Sequence, residues 1–249
     1  MSERTADNGR ASLEIADGVA TVRLTDPDRR NAFSPELGED VLAAFLEIDE
    51  RDDVSAVVLT ASGPVFCAGL DLEVLQGDDS DRREYLFELL GAVTEWCSWS
   101  DRPVIVAADG PAPGAGAILI DSCDLRVGSE DVTMWWPEVA FGLAGQTIAA
   151  RLVRQVGWPK ATELMLLADE AELDAEAARD LGLLNRVVPG DEVEETAREM
   201  AAVIAEHDRA HDNVASHLQA IQHAREELIG SSVPYANWLG RDLRRVLEE

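Results

Sequence analysis

Apolar and polar residues alternate at Leu13/Ile15 and again at Val22/Leu24, on either side of Asp17-Gly18. Period-two alternation around an Asp-Gly pair predicts a β-hairpin, because these residues tolerate the positive φ of a tight turn. Asp26-Pro27-Asp28 ends that unit. From Ser34-Pro35 the period changes, and Leu37, Val41, Phe45 and Ile48 recur at helical spacing. A serine cap with proline in the first turn and one apolar stripe predicts an amphipathic helix. Val54–Thr60 and Pro103–Ala108 are apolar, β-branched runs of strand length, the pattern of parallel strands covered on both faces. Asp124–Val127, Val132–Trp135 and Leu183–Val188 read as shorter strands, and helical periodicity dominates Ile148–Val156, Pro159–Leu167 and Ala175–Leu181. Residues 1–10 are polar and are expected to fray. From Asp191 onward the chain reads as helices. No linker rich in Gly, Pro or Ser divides it, so residues 1–249 are expected to form one domain, a core over about 12–190 and a helical part over about 191–249.

Two windows 47 residues apart resemble each other: VVLTASGPVFCAGLDL from Val57 and VIVAADGPAPGAGAIL from Val104, identical at seven of 16 positions. Each reads as a strand, a tight turn and a glycine-containing helix start. Successive units of this kind can stack as turns of a β–α superhelix. Backbone N–H groups at a helix start have no intrahelical acceptor and can face an anion. Two such groups converging on one carbonyl oxygen would form an oxyanion hole.

Composition narrows the function classes. The chain carries 49 Asp plus Glu against 21 Lys plus Arg, a net charge of −28, and Lys160 is its one lysine. A nucleic-acid-coating role needs a basic face and is disfavoured. The acids are spread along the whole chain, which reads as a solvated surface adapted to a salt-rich cytoplasm. The three cysteines, Cys67, Cys97 and Cys123, form no CxxC pair, which agrees with a reduced compartment. No apolar run approaches the length of a membrane span, and Met1–Asp7 does not read as a secretory signal. His207 and His211 stand four apart, but no third ligand accompanies them and no metal site is expected.

Five ordered segments carry a family resemblance. Arg30-Asn31-Ala32, Phe66-Cys67-Ala68-Gly69-Leu70-Asp71-Leu72, Asp109-Gly110-Pro111-Ala112-Pro113-Gly114-Ala115-Gly116, Trp136-Pro137-Glu138-Val139, and Val156-Gly157 followed by Ala161-Thr162-Glu163-Leu164 resemble the motifs of the crotonase (enoyl-CoA hydratase/isomerase) superfamily. The match runs from about residue 12 to about residue 200. It implies an α/β fold, a crotonase-like ββα superhelix with a C-terminal helical region, assembled as a homotrimer or hexamer. It also implies an acyl-CoA thioester substrate and no separate cofactor, coenzyme A being part of the substrate. The thioester oxygen would be held by the N–H groups of Leu70 and Ala115, and the CoA adenine by main chain near Leu70, Asp71 and Leu72. Such donors stabilise a developing enolate by roughly 3–4 kcal/mol each. As a side chain, Asp71 is a better anchor for its turn than a catalytic acid.

The acid/base residues depart from the family pattern. Hydratases of the superfamily use two glutamates that hold one water. The second is present as Glu138, and the first falls at Ile118, which cannot transfer a proton. Asp121, one helical turn beyond, is a possible second acid. The loop after Glu138 is also altered, to Phe141-Gly142-Leu143-Ala144-Gly145-Gln146. A single glutamate suits a proton shuttle, as in the isomerases that move a double bond from the 3- to the 2-position. Burial beside Trp135 and Trp136 would raise its pKa. Two further readings stay open: another crotonase reaction on a CoA thioester, such as decarboxylation or hydrolysis, and a CoA-binding pseudoenzyme.

Overall fold

The computed structural model describes residues 3–7 and 9–227. Strands β2 (Ala11–Ala16) and β3 (Val19–Leu24) form the expected hairpin around Asp17-Gly18, in register from Ala11↔Leu24 to Ala16↔Val19. The first residues do not simply fray: β1 (Glu3–Asp7) pairs antiparallel with β2, covering an edge whose N–H and C=O groups would otherwise be open. Helix α1 (Pro35–Asp49) begins where the serine cap predicts, with Ser34 Oγ accepting the Leu37 N–H at 3.2 Å.

The chain then winds through β4 (Ala56–Ala61), α2 (Leu72–Leu75), α3 (Ser80–Trp99), β5 (Val104–Ala108), β6 (Ala112–Pro113), α4 (Ala115–Ser122), β7 (Leu125–Ser129) and β8 (Thr133–Trp135). It continues through α5 (Gln146–Val156), α6 (Trp158–Leu167), β9 (Leu173–Asp174), α7 (Ala175–Asp180), β10 (Arg186–Val188), α8 (Val193–His211) and α9 (Val214–Glu227). The principal sheet has the order β1-β2-β3-β4-β5-β7-β10, parallel from β3 onward. A second sheet, β6-β8-β9, collects the short strands. The turns that begin with β5 and β7 each lay a long strand in the principal sheet and a short one, β6 or β8, in the second, followed by helix: the ββα superhelix that the sequence implies.

Alternate residues of β4, β5 and β7 face different cores. Val57, Leu59, Val104 and Val106 face the helical layer of α1, α3 and α4. Val58, Ile105, Ala107 and Val127 face α8, whose Ala197, Ala201 and Ala205 form a fully buried stripe. The small side chains let α8 lie close to the sheet. Cover on both faces is why these strands read as unbroken apolar runs.

Helix α3 is absent from the hydrophobic periodicity. It is buried on several sides at once, at Leu86, Leu89, Leu90, Ala92, Val93, Thr94, Trp96, Cys97 and Ser98, so no single stripe stands out. Its start does carry a local signal, since the Asp79 carboxylate caps it by accepting the Arg82 N–H at 3.0 Å. The helices expected beyond residue 227 lie outside the described residues.

Candidate functional site

The first glycine turn is held from behind by Asn31. This fully buried residue, in a left-handed backbone conformation, donates from Nδ2 to Ser62 O and Val65 O, each at 2.9 Å. The neighbouring Arg30 O accepts the Ala68 N–H at 3.0 Å. Phe33 then makes a parallel bridge to Leu70: its N–H donates to Gly69 O at 2.8 Å, and its C=O accepts from Asp71 N at 2.9 Å. In that geometry both bonds go to the neighbours of Leu70, so its own N–H faces away from Phe33. Asp71 follows as the cap of α2. It is buried, accepts the Glu73 N–H at 3.0 Å and pairs with Arg29 at 2.7 Å.

The second turn leads from β6 into α4. Gly114 N donates to Trp135 O and Gly114 O accepts from Ile118 N, each at 2.9 Å, which places Ala115 at the first position of α4 with no intrahelical acceptor for its N–H. The two turns touch through main chain. A β-carbon on Gly116 would stand 2.4 Å from Cys67 O, and one on Gly69 would stand 3.2 Å from Pro113 O. Only glycine permits that approach, so the repeated segments of the sequence meet face to face.

Leu70 and Ala115 border one cavity of about 610 Å³, with Glu138, Ile118, Leu72 and Asp121 also in its wall. The lining is mainly apolar, which suits a ligand with a hydrophobic part. Glu138 begins the short turn Glu138–Phe141, where Pro137 O accepts Ala140 N at 2.9 Å and Glu138 O accepts Leu143 N at 3.0 Å. Trp136 beside it is fully buried. Desolvation by burial raises the Glu138 carboxyl above its ordinary value of 4.5. Among the described residues, Glu138 Oε2 is buried with no hydrogen-bond partner, an expensive arrangement for a carboxylate in the absence of a ligand.

Ile118 presents a hydrocarbon side chain to the cavity, and Asp121 is engaged elsewhere. Its Oδ1 accepts from Gln155 Nε2 at 2.6 Å and lies 3.2 Å from Arg126 Nη1, while Arg126 Nη2 donates to Asp121 O at 2.8 Å. Asp121 is 4% exposed. Four lining residues with polar side chains have no counterpart among the sequence candidates: Thr94 and Glu95 of α3, Arg151 of α5, and Asp169. The first two ride on the helix that periodicity missed. Nothing local marks the others. His207 and His211 are exposed on α8, and the described residues contain no group of three side chains able to hold a metal. No helix among the described residues is long and apolar enough to cross a membrane.

Comparison with known proteins gives the family and the fold. The enoyl-CoA hydratase/isomerase family model matches residues 14–229. The chain is 34% identical over 200 residues to 4-chlorobenzoyl coenzyme A dehalogenase-2 of an Arthrobacter species, covering 77% of this chain and 72% of that protein. Among solved structures, an enoyl-CoA hydratase/isomerase from Xanthobacter autotrophicus Py2 superposes with a TM-score of 0.81 at 26% identity, over 97% of this chain and 86% of that one. Human enoyl coenzyme A hydratase domain-containing protein 3 gives a TM-score of 0.78 at 26% identity, over 96% and 88%.

Proposed function

The chain belongs to the enoyl-CoA hydratase/isomerase family of the crotonase superfamily, and from that premise we propose that it shifts the double bond of an enoyl-CoA from the 3- to the 2-position. The thioester lies in the cavity between the glycine turns, with its oxygen on the N–H groups of Leu70 and Ala115. Leu72 and the backbone around Leu70 and Asp71 line the approach of the coenzyme A portion. As Glu138 removes the C2 proton, charge develops on that oxygen, and donors already oriented there lower the barrier without reorganising. Glu138 then returns the proton at C4.

The observation carrying this reading is Glu138, whose Oε2 is buried without a partner, lining the same cavity as the hydrocarbon side chain of Ile118. Hydration needs a second group to orient water, and the Asp121 oxygen nearest in sequence is committed to Gln155 and Arg126. The test is to incubate the protein at high salt with 2-enoyl- and 3-enoyl-CoA and separate the products by mass and retention time. Conversion of the 3-enoyl to the 2-enoyl thioester is expected. Binding of CoA with no conversion and no exchange of α-protons would favour a pseudoenzyme, and α-proton exchange without either product another reaction of the superfamily.

Assembly as a homotrimer or hexamer is part of the same proposal. Trp158, Leu166 and Leu167 expose apolar surface on α6, and light scattering of the intact chain measures the outcome.

A further inference from the structure

Arg151 gives the cavity a cationic far end. It stands on α5 one turn beyond Ile148, and both border the cavity. Its Nη1 donates to Ser122 Oγ at 2.6 Å and its Nη2 to Ser98 Oγ at 2.8 Å. These serines close the last turns of α4 and α3, and each hydroxyl donates back to its own helix, Ser122 to Ile118 O and Ser98 to Thr94 O, both at 2.7 Å. The guanidinium thus sits where two helix C-termini converge, a place that favours a cation.

Its partners among the described residues are these two neutral hydroxyls rather than a carboxylate. Asp121, at the same end, is taken up by Arg126 and Gln155. A guanidinium has more donors than two bonds consume, and a charge-assisted donor is matched best by an oxygen acceptor. Glu95 and Asp169 also border the cavity. Their negative charge in the same lining makes a neutral hydroxyl as well suited an acceptor here as a carboxylate.

Helix α4 measures how far this end lies from the reaction. Ala115 starts the helix and Ser122 ends it, a separation of about 10 Å along the axis at 1.5 Å per residue. We infer that the cavity selects acyl groups with an acceptor oxygen, a hydroxyl or a carboxylate, about six to eight carbons from the thioester, read by Arg151. The inference rests on the acyl-CoA reading above and names its substrate class.

Binding to the intact protein tests it, by calorimetry with octanoyl-, 8-hydroxyoctanoyl- and octanedioyl-CoA, saturated thioesters with no double bond to move. At least one oxygenated ligand is expected to bind about tenfold or more tighter than octanoyl-CoA, and which one distinguishes hydroxyl from carboxylate. Arg151→Met should bring that ratio toward one. Arg151→Lys, which keeps the charge but loses the fork, should give an intermediate ratio and serves if the Met variant fails to fold. A purely structural arginine would not change the ratio. Octanoyl-CoA binding as tightly as both oxygenated ligands would overturn the inference and leave the acyl-CoA reading standing, as would a preference that survives in both variants. Failure of coenzyme A and all three thioesters to bind would overturn the acyl-CoA reading itself.

Discussion

Glu138 rests against Gly114: a β-carbon there would lie 3.6 Å from Glu138 Oε1. The carboxylate and the second glycine turn are therefore neighbours, with Ala115 the next residue in the chain. A candidate base and a candidate oxyanion donor side by side would let proton removal and charge stabilisation act on adjacent atoms of one substrate.

Replacing Glu138 by Gln keeps the shape and removes the basicity. Isomerisation should fall by about 10²–10⁴-fold while CoA affinity is retained. Because burial raises this carboxyl above 4.5, the rate in the parent protein should climb with pH through a midpoint above the ordinary glutamate range. Stability runs the other way. A raised folded-state pKa supplies stability that is present in acid and lost as pH rises through it. At neutral pH the Gln variant should thus unfold at the same temperature as the parent or higher. A rate profile independent of pH across that range would remove Glu138 as the base.

Proline at position 115 deletes the N–H that begins α4. Proline suits the first position of a helix, although the unusual backbone at Gly114, φ 51° and ψ −113°, makes a fold check by circular dichroism necessary. Turnover of Ala115→Pro should drop by about a hundredfold with CoA still bound. Full activity in a folded variant would show that the thioester oxygen does not use this donor.

Ile118→Glu places a second carboxylate in the cavity wall, one helical turn from Ala115. Hydration of 2-enoyl-CoA, expected to be weak in the parent, should rise, scored per folded molecule because burying the new charge costs several kcal/mol. Asp121→Asn makes the complementary point. With its oxygen bound to Arg126 and Gln155, that change should lower thermal stability and leave the isomerisation chemistry intact. Brisk hydration by the parent, lost in Asp121→Asn, would make Asp121 the second acid and the reaction a hydration.

The charge of −28 carries a prediction about solvent. Lowering salt from about 1 M to 0.1 M lengthens the screening distance from roughly 3 to 10 Å, and repulsion among the surface acids grows. The unfolding temperature should fall. A midpoint that is unchanged or higher at low salt would remove the reading of a salt-adapted protein.

The elements legible in the sequence were those with a uniform cover. The hairpin around Asp17-Gly18 and helix α1 each showed the period of their covered face, and the strands covered on both faces showed unbroken apolar runs. Helix α3 did not, because it is buried on several sides, and Thr94 and Glu95 escaped notice with it. The candidate donors at Leu70 and Ala115 rest on the family resemblance, while the glycines themselves report the close main-chain approach of the two turns.

By itself the sequence pointed to the fold class through five ordered motifs between Arg30 and Leu164, and to the two glycine turns and Glu138 through residues close together along the chain. Tertiary structure alone decided what the remaining polar groups are for. In sequence, Asp121 and Arg151 each read as a charged residue on a helix. Packing binds the aspartate to Arg126 and Gln155 while seating the arginine on two hydroxyls beside the cavity. Arg126 reaches Asp121 from five residues away, but Gln155 on Asp121 and the two serines on Arg151 come from 29 to 53 residues away in the chain, and no local pattern records them.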